Sequence, residues 1–414
     1  MSETHHTNHD LLFMYRKLSL IAIFFLHVVC GMAQTPSNAA ADSLRVLQQS
    51  SDYVEASLVV VSPGKLIYSG GGHTALRLSC PMQNMDYYFS FEMALTPIEK
   101  LRFLSGTARA GYIYTDFQNV VELYRKEGRE MRGLKLNLTP VQEQELWRYL
   151  DGQCERGPSR YFDYMNSNCN EVILTAIEIC LGKETIEWKY DSPDFSSSYR
   201  SFIDRQFTHS PWNSMLLNLL TGEKGDKMTV GTNWLWPSVL LSEAKKACIV
   251  DSVGGKRPLV VGDEQILLKL SKENKPFPIT PKMVFMFLLV LSVLITIYQL
   301  ITKQRNIGYM ADIPLMVIQA VLGCIYSYTT LSNLSAGFNW IIIVLNPLPL
   351  IIWLLLRKKP VMRQFYLLFT IILVVYLACT PRLPQLQTTP IAILFIAIAV
   401  RTAYHYISRR FVHK

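Results

Sequence analysis

The sequence predicts two structural parts, an α+β domain that comes first and an all-α bundle of about five transmembrane helices that follows. Two observations predict this division. Almost every window from Lys282 onward is apolar, whereas residues 40–275 have the mixed composition of a globular domain. Charge divides at the same place, because the residues from Lys303 to the end include eleven Lys or Arg and one acid in a chain of net charge +9. The basic character therefore belongs to the bundle and does not indicate nucleic-acid binding.

The N-terminus has the pattern of a secretory signal peptide over residues 1–33. A basic pair precedes an apolar run at residues 18–29, and the segment 31–33 resembles a small-residue cleavage site. The apolar run is short for a membrane span, which takes roughly 20 residues. We therefore expect a cleaved signal, with an uncleaved anchor as the alternative, and a folded domain over residues 34–250 outside the cytoplasm.

A connector over residues 251–280 leads to the predicted transmembrane domain, residues 281–414. Its helices are predicted near residues 282–302, 312–331, 338–356, 361–379 and 389–407. Each is long enough to cross a hydrocarbon core of about 30 Å. Lys and Arg collect after the first, third and fifth helices, which places those loops and the C-terminus in the cytoplasm. Arg401, near the cytoplasmic end of the last helix, is interpreted as a side chain that reaches toward the lipid headgroups.

Hydrophobic patterns divide the first domain into strands and helices. Strands are predicted at residues 56–61, 73–78, 86–91, 112–124 and 131–137. Helices are predicted at residues 96–104, 139–150, 169–180, 196–207 and 211–220, with a further helix after Pro237. Asn168 is a good cap for the helix that begins at Cys169, because an Asn side chain accepts hydrogen bonds from free backbone N–H groups.

Cys169 is the candidate nucleophile of the exported domain. Five of the eight cysteines fall in this domain, and the local sequence places only Cys169 at a helix N-terminus. A helix N-terminus and a neighbouring imidazolium stabilise a thiolate, and such sites lower the thiol pKa to roughly 3.5–7.5. The alternative is a buried structural thiol or half of a disulfide.

Two of the eight histidines fall in the exported domain, His73 and His209. His73 follows the glycine run 70–72 at a strand start, where the backbone can approach a substrate closely. His209 lies in a loop before a helix and is interpreted as a surface or packing residue. His73 is therefore predicted to be the base that accepts the thiol proton.

The segment Gly72-His73-Thr74-Ala75-Leu76-Arg77, followed about a hundred residues later by Asn168-Cys169-Asn170, resembles the circularly permuted papain-like (NlpC-type) fold. The whole chain resembles the Lnb-type lipoprotein N-acyltransferases of Gram-negative bacteria, which combine a periplasmic papain-like domain with a transmembrane domain. The likeness covers the His73 strand and the segments 161–170, 234–240 and 339–347. The resemblance implies a multi-pass protein of the bacterial inner membrane, with the first domain in the periplasm.

The resemblance also implies a two-step acyl transfer. The Cys169 thiolate attacks an ester of a membrane phospholipid, and the thioester passes its acyl chain to the α-amine of a diacylglyceryl-cysteine lipoprotein. His73 acts as the base in both steps, and the turn from Asn168 to Asn170 is expected to supply N–H groups to the oxyanion. The sequence contains no metal-ligand cluster and no phosphate-cradling glycine loop, so we expect no cofactor.

Several other residues are candidates for the site. The residues that are candidates to orient His73 are Asp86, Ser90 and Glu92 on the predicted partner strand. The candidate substrate-binding residues are Tyr161, Tyr164 and Trp236. Aromatic core packing is the alternative role of the two tyrosines. A disulfide between Cys80 and Cys154 would leave the Cys169 thiol free.

Two other functions are compatible with the sequence. A membrane-tethered cysteine peptidase or amidase acting on cell-wall peptides would use the same Cys–His pair with water as the acceptor. A non-catalytic envelope binding or assembly module would carry an inert Cys169. The five-helix bundle favours the lipid substrate, because a cell-wall hydrolase needs only one anchor.

Overall fold

The computed structural model describes residues 53–64, 68–163, 167–191, 197–227, 236–269, 278–304, 306–333, 337–382 and 390–408. The predicted signal peptide and Tyr164 lie outside these residues. The described chain has a sheet-rich N-terminal part and a helical C-terminal part. This composition confirms the predicted order of an α+β domain and a helical bundle.

Two β-sheets are present in the described residues of the N-terminal part. The larger sheet has seven strands in the spatial order β10-β5-β1-β2-β3-β4-β6, and the pairs are antiparallel. Its strands are β1 (Glu55–Val61), β2 (His73–Cys80), β3 (Met85–Met93), β4 (Arg109–Asp116), β5 (Met131–Leu136), β6 (Arg160–Tyr161) and β10 (Val260–Leu267). The smaller sheet contains β7 (Thr185–Glu187), β8 (Cys248–Val250) and β9 (Lys256–Pro258).

In the described chain, eight helices lie between these strands, and some of them pack on the large sheet. They are α1 (Pro97–Leu104), α2 (Phe117–Glu127), α3 (Pro140–Arg156), α4 (Cys169–Leu181), α5 (Tyr199–Gln206), α6 (Pro211–Leu220), α7 (Lys224–Lys227) and α8 (Pro237–Ala244). Helix α3 begins with a reciprocal capping box formed by the Thr139 and Gln142 side chains.

The predicted strand over residues 112–124 is wrong in its second half. Strand β4 ends at Asp116, whose side chain accepts hydrogen bonds from the N–H groups of Gln118 and Asn119 and so begins α2. The buried residues of α2 recur at helical spacing; they are Phe117, Val120, Val121 and Tyr124. These β-branched and aromatic residues are typical of a strand. The cap at Asp116 and the 3.6-residue spacing favour a helix instead.

The large sheet extends into residues 251–280, which the sequence pattern predicts to be a connector. Strand β10 is the edge strand and pairs with β5, and Arg132 on β5 forms an ion pair with Asp263 on β10. Most side chains of β10 are exposed or half-buried. An edge strand with this polar pattern resembles a connector in sequence, because it contributes few residues to the core.

The two faces of the large sheet pack against different helices. Helices α3 and α4 cover one face, where Leu76 of β2 and Phe89 of β3 are fully buried. Helix α2 covers the opposite face, where Ala75 and Tyr88 are buried. Successive strand residues alternate between faces. The side chains of His73, Ser90 and Glu92 therefore belong to the face that α2 covers.

The C-terminal part consists of apolar helices. They are α9 (Pro281–Thr302), α10 (Tyr309–Ser332), α11 (Leu348–Leu356), α12 (Met362–Ala378) and α13 (Ile391–Ser408). Within the described residues, three helices are long and apolar enough to cross a membrane, α9, α10 and α13. Two shorter apolar helical segments cover residues 340–356 and 362–378. The count of five spans therefore stays a prediction.

Arg401 is buried inside the bundle, so its interpretation as a headgroup-reaching side chain is wrong. Its side chain is 2% exposed, and its Nε and Nη2 donate to the two carboxylate oxygens of Asp312 at 2.6 and 3.1 Å. His405 Nε2 lies 2.8 Å from the same carboxylate. Asp312 on α10 supplies the opposite charge that allows Arg401 to be buried.

Helix α6 attaches the N-terminal part to the bundle. Its residues Met215 and Leu219 pack into the apolar core of the bundle with Tyr326 and Ile341. The Asn339 side chain donates a hydrogen bond to the backbone oxygen of Leu219. These contacts place α6 at the end of the bundle where α10 terminates.

Candidate active site

Cys169 occupies the first position of α4, and Asn168 caps that helix as predicted. The Asn168 Oδ1 accepts hydrogen bonds from the N–H groups of Asn170 and Glu171, at 2.9 and 3.2 Å. The apolar face of α4 packs on the large sheet and carries Cys169 to the start of β2. There the Cys169 sulfur interacts with the backbone N–H of Thr74.

His73 is the first residue of β2, and a carboxylate faces its imidazole. The register pairs Ala75 with Ser90, so its continuation places Glu92 opposite His73. The His73 Nε2 lies 3.7 Å from Glu92 Oε1, which accepts a hydrogen bond from Ser90 Oγ at 2.7 Å. Ser90 is 2% exposed and therefore holds Glu92 from a rigid position. Ser90, Glu92 and His73 thus form a row on adjacent strands, and the Cys169 sulfur interacts with the N–H of Thr74, the residue next to His73.

The register distinguishes among the three residues considered for orienting His73. Asp86 is engaged elsewhere, because Arg77 Nε and Nη2 donate to its two carboxylate oxygens at 2.8 and 2.9 Å. Ser90 contacts Glu92, and Glu92 is the residue that faces His73. Glu92 is therefore the candidate orienting residue.

The electrostatics of the thiol differ from the expectation that a helix N-terminus lowers its pKa. Burial raises the pKa of Cys169 to about 11, although the N–H groups of Thr74, Asn170 and Cys169 itself act in the opposite direction. The negative charge of Glu92 raises the pKa of Cys169 further. Desolvation of the thiolate therefore outweighs the helix N-terminus.

The electrostatics of His73 favour its neutral form. Burial lowers the pKa of His73; Glu92 raises the pKa and Arg129 lowers it. At neutral pH the site therefore holds a thiol and a neutral imidazole. A neutral imidazole can accept the thiol proton at the moment of attack, which is general-base chemistry.

Arg129 is a neighbour of the site that the sequence pattern does not reveal. Its side chain is 6% exposed, donates from Nε to the Ser62 oxygen at 2.7 Å, and lies over the Tyr124 ring at 4.7 Å. Arg129 follows α2 and His73 begins β2, so no local pattern joins the two residues.

The predicted oxyanion role of the turn from Asn168 to Asn170 stays a prediction. The Asn170 N–H is already bonded to the Asn168 side chain. Asn168 is thus the helix cap. The Asn170 side chain is fully buried, and within the described residues its amide atoms have no hydrogen-bond partner.

The predicted substrate-binding residues lie in different environments. Tyr161 is 58% exposed on β6, at the edge of the sheet. Trp236 is 1% exposed and stacks on Phe202 with ring centroids 4.7 Å apart. Trp236 is therefore a core residue and not part of a substrate-accessible surface, which corrects the prediction.

Pro237, the residue after Trp236, lies against the backbone where the chain enters β2. Gly72 has φ +93°, and a Cβ there would lie 2.8 Å from the Val61 oxygen and 3.3 Å from Pro237 Cγ. Only glycine fits this position without strain. Gly72 therefore allows the chain to pass Pro237 and to place His73 at the strand start.

The remaining cysteine and histidine predictions have clear outcomes. No disulfide joins Cys80 and Cys154 in the described part of the chain, so the suggested bond is not formed there. His209 is exposed, in agreement with its interpretation as a surface residue.

The fold and the site together define a membrane protein with an α+β domain that carries a cysteine and a histidine at one end of its large sheet. Residues 44–200 match the family model of the Lnb N-terminal periplasmic domain, and residues 272–410 match that of the Lnb transmembrane domain. The chain belongs to the Lnb family and has a periplasmic N-terminal domain. Membership suggests a lipoprotein N-acyltransferase-like role. No curated protein and no solved structure matched the chain.

Proposed function

We propose that this chain is a lipoprotein N-acyltransferase of the bacterial inner membrane. It would move an acyl chain from a phospholipid, through a Cys169 thioester, to the α-amine of a diacylglyceryl-cysteine lipoprotein. The observation that supports the proposal is the Ser90–Glu92–His73 row in a chain of the Lnb family, with the Cys169 sulfur at the backbone N–H of Thr74, the residue next to His73.

In the first step, His73 accepts the proton of the Cys169 thiol as the sulfur attacks the ester carbonyl. The S–C bond forms and the ester C–O bond breaks, and His73 returns the proton to the departing lysophospholipid oxygen. Because Nε2 faces Glu92, the Nε2–H tautomer leaves Nδ1 to accept the proton. Glu92 then stabilises the imidazolium that forms.

In the second step, the neutral α-amine of the lipoprotein attacks the thioester carbonyl. The N–C bond forms and the S–C bond breaks, His73 accepts the amine proton, and Cys169 recovers it as a thiol. The backbone N–H groups of Thr74 and Cys169, which interact with the sulfur, are the proposed oxyanion donors. The neutral forms of Cys169 and His73 suit this cycle, because the cycle begins and ends with a thiol and a neutral imidazole.

The test is mass spectrometry of a lipoprotein N-terminal peptide from a strain that lacks its own N-acyltransferase. The strain expresses the intact chain, Cys169→Ser, or the control Cys248→Ser, which removes a partly buried thiol from the small sheet. A third acyl chain is expected with the intact chain and with Cys248→Ser only. His73→Ala is expected to slow acylation by roughly 10²–10⁴-fold.

Lipoproteins that stay diacylated beside a well-expressed, membrane-inserted intact chain would contradict the proposal. Release of cell-wall peptides by the same protein would then favour the peptidase or amidase function. Acylation that survives in Cys169→Ser would contradict the assigned nucleophile.

A further inference from the structure

Helix α1 of the periplasmic domain has an exposed apolar side. Ile98 is 54% exposed, Leu101 is 49% exposed, and Leu95, just before the helix, is 49% exposed. The spacing of three residues places Ile98 and Leu101 side by side on the helix surface. Single apolar residues are common on protein surfaces, but a group of large ones at one place indicates contact with an apolar partner.

This helix lies beside the end of a predicted membrane span. A Cβ at Gly106, shortly after α1, would lie 2.9 Å from Oδ1 of Asn333, which follows α10. Leu104 of α1 and Thr330 of α10 also line the same cavity. Helix α10 is long and apolar enough to cross a membrane. Helix α1 is therefore located at the level where α10 leaves the bilayer.

The surface at this end of the bundle has the composition of a membrane interface. Leu331, in the last turn of α10, is 74% exposed. Phe338 and Trp340 are 44% and 48% exposed, and their rings meet edge to face with centroids 4.9 Å apart. Exposed tryptophan is typical of the boundary between hydrocarbon and headgroups. The apolar side of α1 thus lies at the same end of the bundle as side chains that suit contact with lipid.

The polar side of α1 suits the headgroup region. Residues two positions apart on a helix are separated by about 200°, so Lys100 lies away from Ile98. The Lys100 Nζ is 5.8 Å from the ring centroid of Tyr68, which is 46% exposed. Lys and Tyr both combine an apolar body with a polar tip. A short helix with one apolar side and one basic side is typical of an element that lies in the plane of a membrane interface.

We infer that the side of α1 formed by Leu95, Ile98 and Leu101 inserts into the periplasmic leaflet of the membrane that the bundle occupies. Lys100 and Tyr68 then lie among the headgroups. The occupant of this surface is the lipid bilayer, because α1 adjoins the end of α10, which bilayer lipid surrounds. A protein partner at this position would have to displace that lipid.

Insertion of α1 has a consequence for the catalytic residues. Tyr68 precedes the glycine run 70–72 that leads to His73. Contact of Tyr68 with the headgroups would hold the entry to β2 close to the bilayer, where the ester bonds of phospholipids lie. This consequence rests on the proposed function, whereas the insertion of α1 does not require acyl transfer.

The test measures the depth of α1 in nanodiscs of phosphatidylethanolamine and phosphatidylglycerol that contain the full-length protein. p-Acetylphenylalanine replaces Ile98 and carries a nitroxide through an oxime, so the native thiols are not labelled. Power-saturation EPR compares collisions of the nitroxide with O₂, which concentrates in hydrocarbon, and with a water-soluble nickel chelate. The ratio of the two collision rates is expected to be roughly fivefold higher at position 98 than at an exposed position in water.

Two reference positions calibrate this ratio. Leu123 of α2 is the matched control, because it is 52% exposed on a helix that packs on the large sheet. Phe287 of α9 is 65% exposed on a predicted span and gives the ratio for lipid contact. Leu101→Glu is expected to lower the ratio at position 98 about threefold, because a carboxylate one turn away opposes insertion. Leu123→Glu is expected to leave the ratio at position 98 unchanged.

A ratio at position 98 equal to that at position 123 would overturn the inference, whether or not lipoproteins are acylated. Low collision rates with both reagents at position 98 would also overturn it, because a protein surface would then cover α1. A lipid-like ratio at position 98 in a protein that leaves lipoproteins diacylated would support insertion and contradict the proposed function alone.

Discussion

The charge state of His73 depends on two residues of opposite sign. Glu92 raises the pKa of His73 and Arg129 lowers it, while burial keeps the net pKa below its ordinary value. The base is therefore neutral at the pH where it must accept a proton. Below the His73 pKa the imidazole is protonated and cannot act as a base, so this pKa sets the acid limb of the rate profile.

Substitutions of these two residues are expected to move the acid limb in opposite directions. Glu92→Gln removes the charge that raises the His73 pKa, so the limb moves to lower pH. Arg129→Gln removes the charge that lowers the His73 pKa, so the limb moves to higher pH. Each shift is expected to be about one pH unit. The measurement is kcat/KM for acylation of a diacylated lipopeptide between pH 5 and 9.

Glu122→Gln is the control, because this exposed residue of α2 pairs with Arg125 away from the site. Its acid limb is expected to match that of the unmodified chain. Shifts of the same sign for Glu92→Gln and Arg129→Gln would contradict the assignment of His73 as the titrating base.

The residues of the site differ in how far the sequence reveals them. Cys169 and His73 have local signals, a helix cap and a glycine-led strand start. Glu92 has no local signal. Only the cross-strand register shows that Glu92, and not Asp86, lies opposite His73. The aromatic character of Trp236 predicts a substrate contact as readily as a core position, and only the fold shows its burial.

At the scale of elements, helix α4 carries the nucleophile and depends on its cap. Asn168→Ala removes the acceptor of two backbone N–H groups, so it is expected to lower the free energy of unfolding by about 1 kcal/mol. The first turn would fray and Cys169 would lose its position, so acylation is expected to fall as well. Asn168→Asp keeps an acceptor and is expected to preserve both. Thermal unfolding in detergent and the lipopeptide assay measure the two effects.

Ser198→Ala provides the matched cap removal on α5, because the Ser198 side chain accepts from the Ser201 N–H at 3.2 Å. It is expected to reduce stability by a similar amount and to leave acylation intact. An equal loss of acylation in both variants would show that the cap of α4 acts through global stability alone.

Elements with local caps and apolar periods were predictable from the sequence, as α3, α4 and the β2–β3 hairpin show. Helix α2 was mistaken for a strand because its apolar residues are β-branched or aromatic, and its decisive cap at Asp116 lies within the predicted strand. Strand β10 was missed because its place in the sheet depends on β5, more than a hundred residues earlier. Non-local pairing leaves no periodic signal in a polar edge strand.

At the scale of the whole molecule, the bundle contains a charge cluster away from the docked domain. Asp312 near the start of α10 contacts Arg401 and His405 of α13, and Arg401 Nη1 donates to Thr296 of α9 at 2.7 Å. Hydropathy predicts these helices but not their pairing, since Asp312 and Arg401 are 89 residues apart. The cluster joins α9, α10 and α13, and α6 contacts the first two of these helices.

Removal of one charge from this cluster is expected to cost more than removal of both. Arg401→Met leaves Asp312 buried with His405 as its remaining partner, so we expect a loss of about 3 kcal/mol in the free energy of unfolding. Asp312→Leu combined with Arg401→Met removes both charges, and much of the stability should return because an apolar pair replaces the ion pair. Arg357→Met, at an exposed position after α11, should have little effect on unfolding in detergent. A double variant that unfolds as easily as Arg401→Met would show that the bundle depends on the specific hydrogen bonds of the cluster and not on its charge balance.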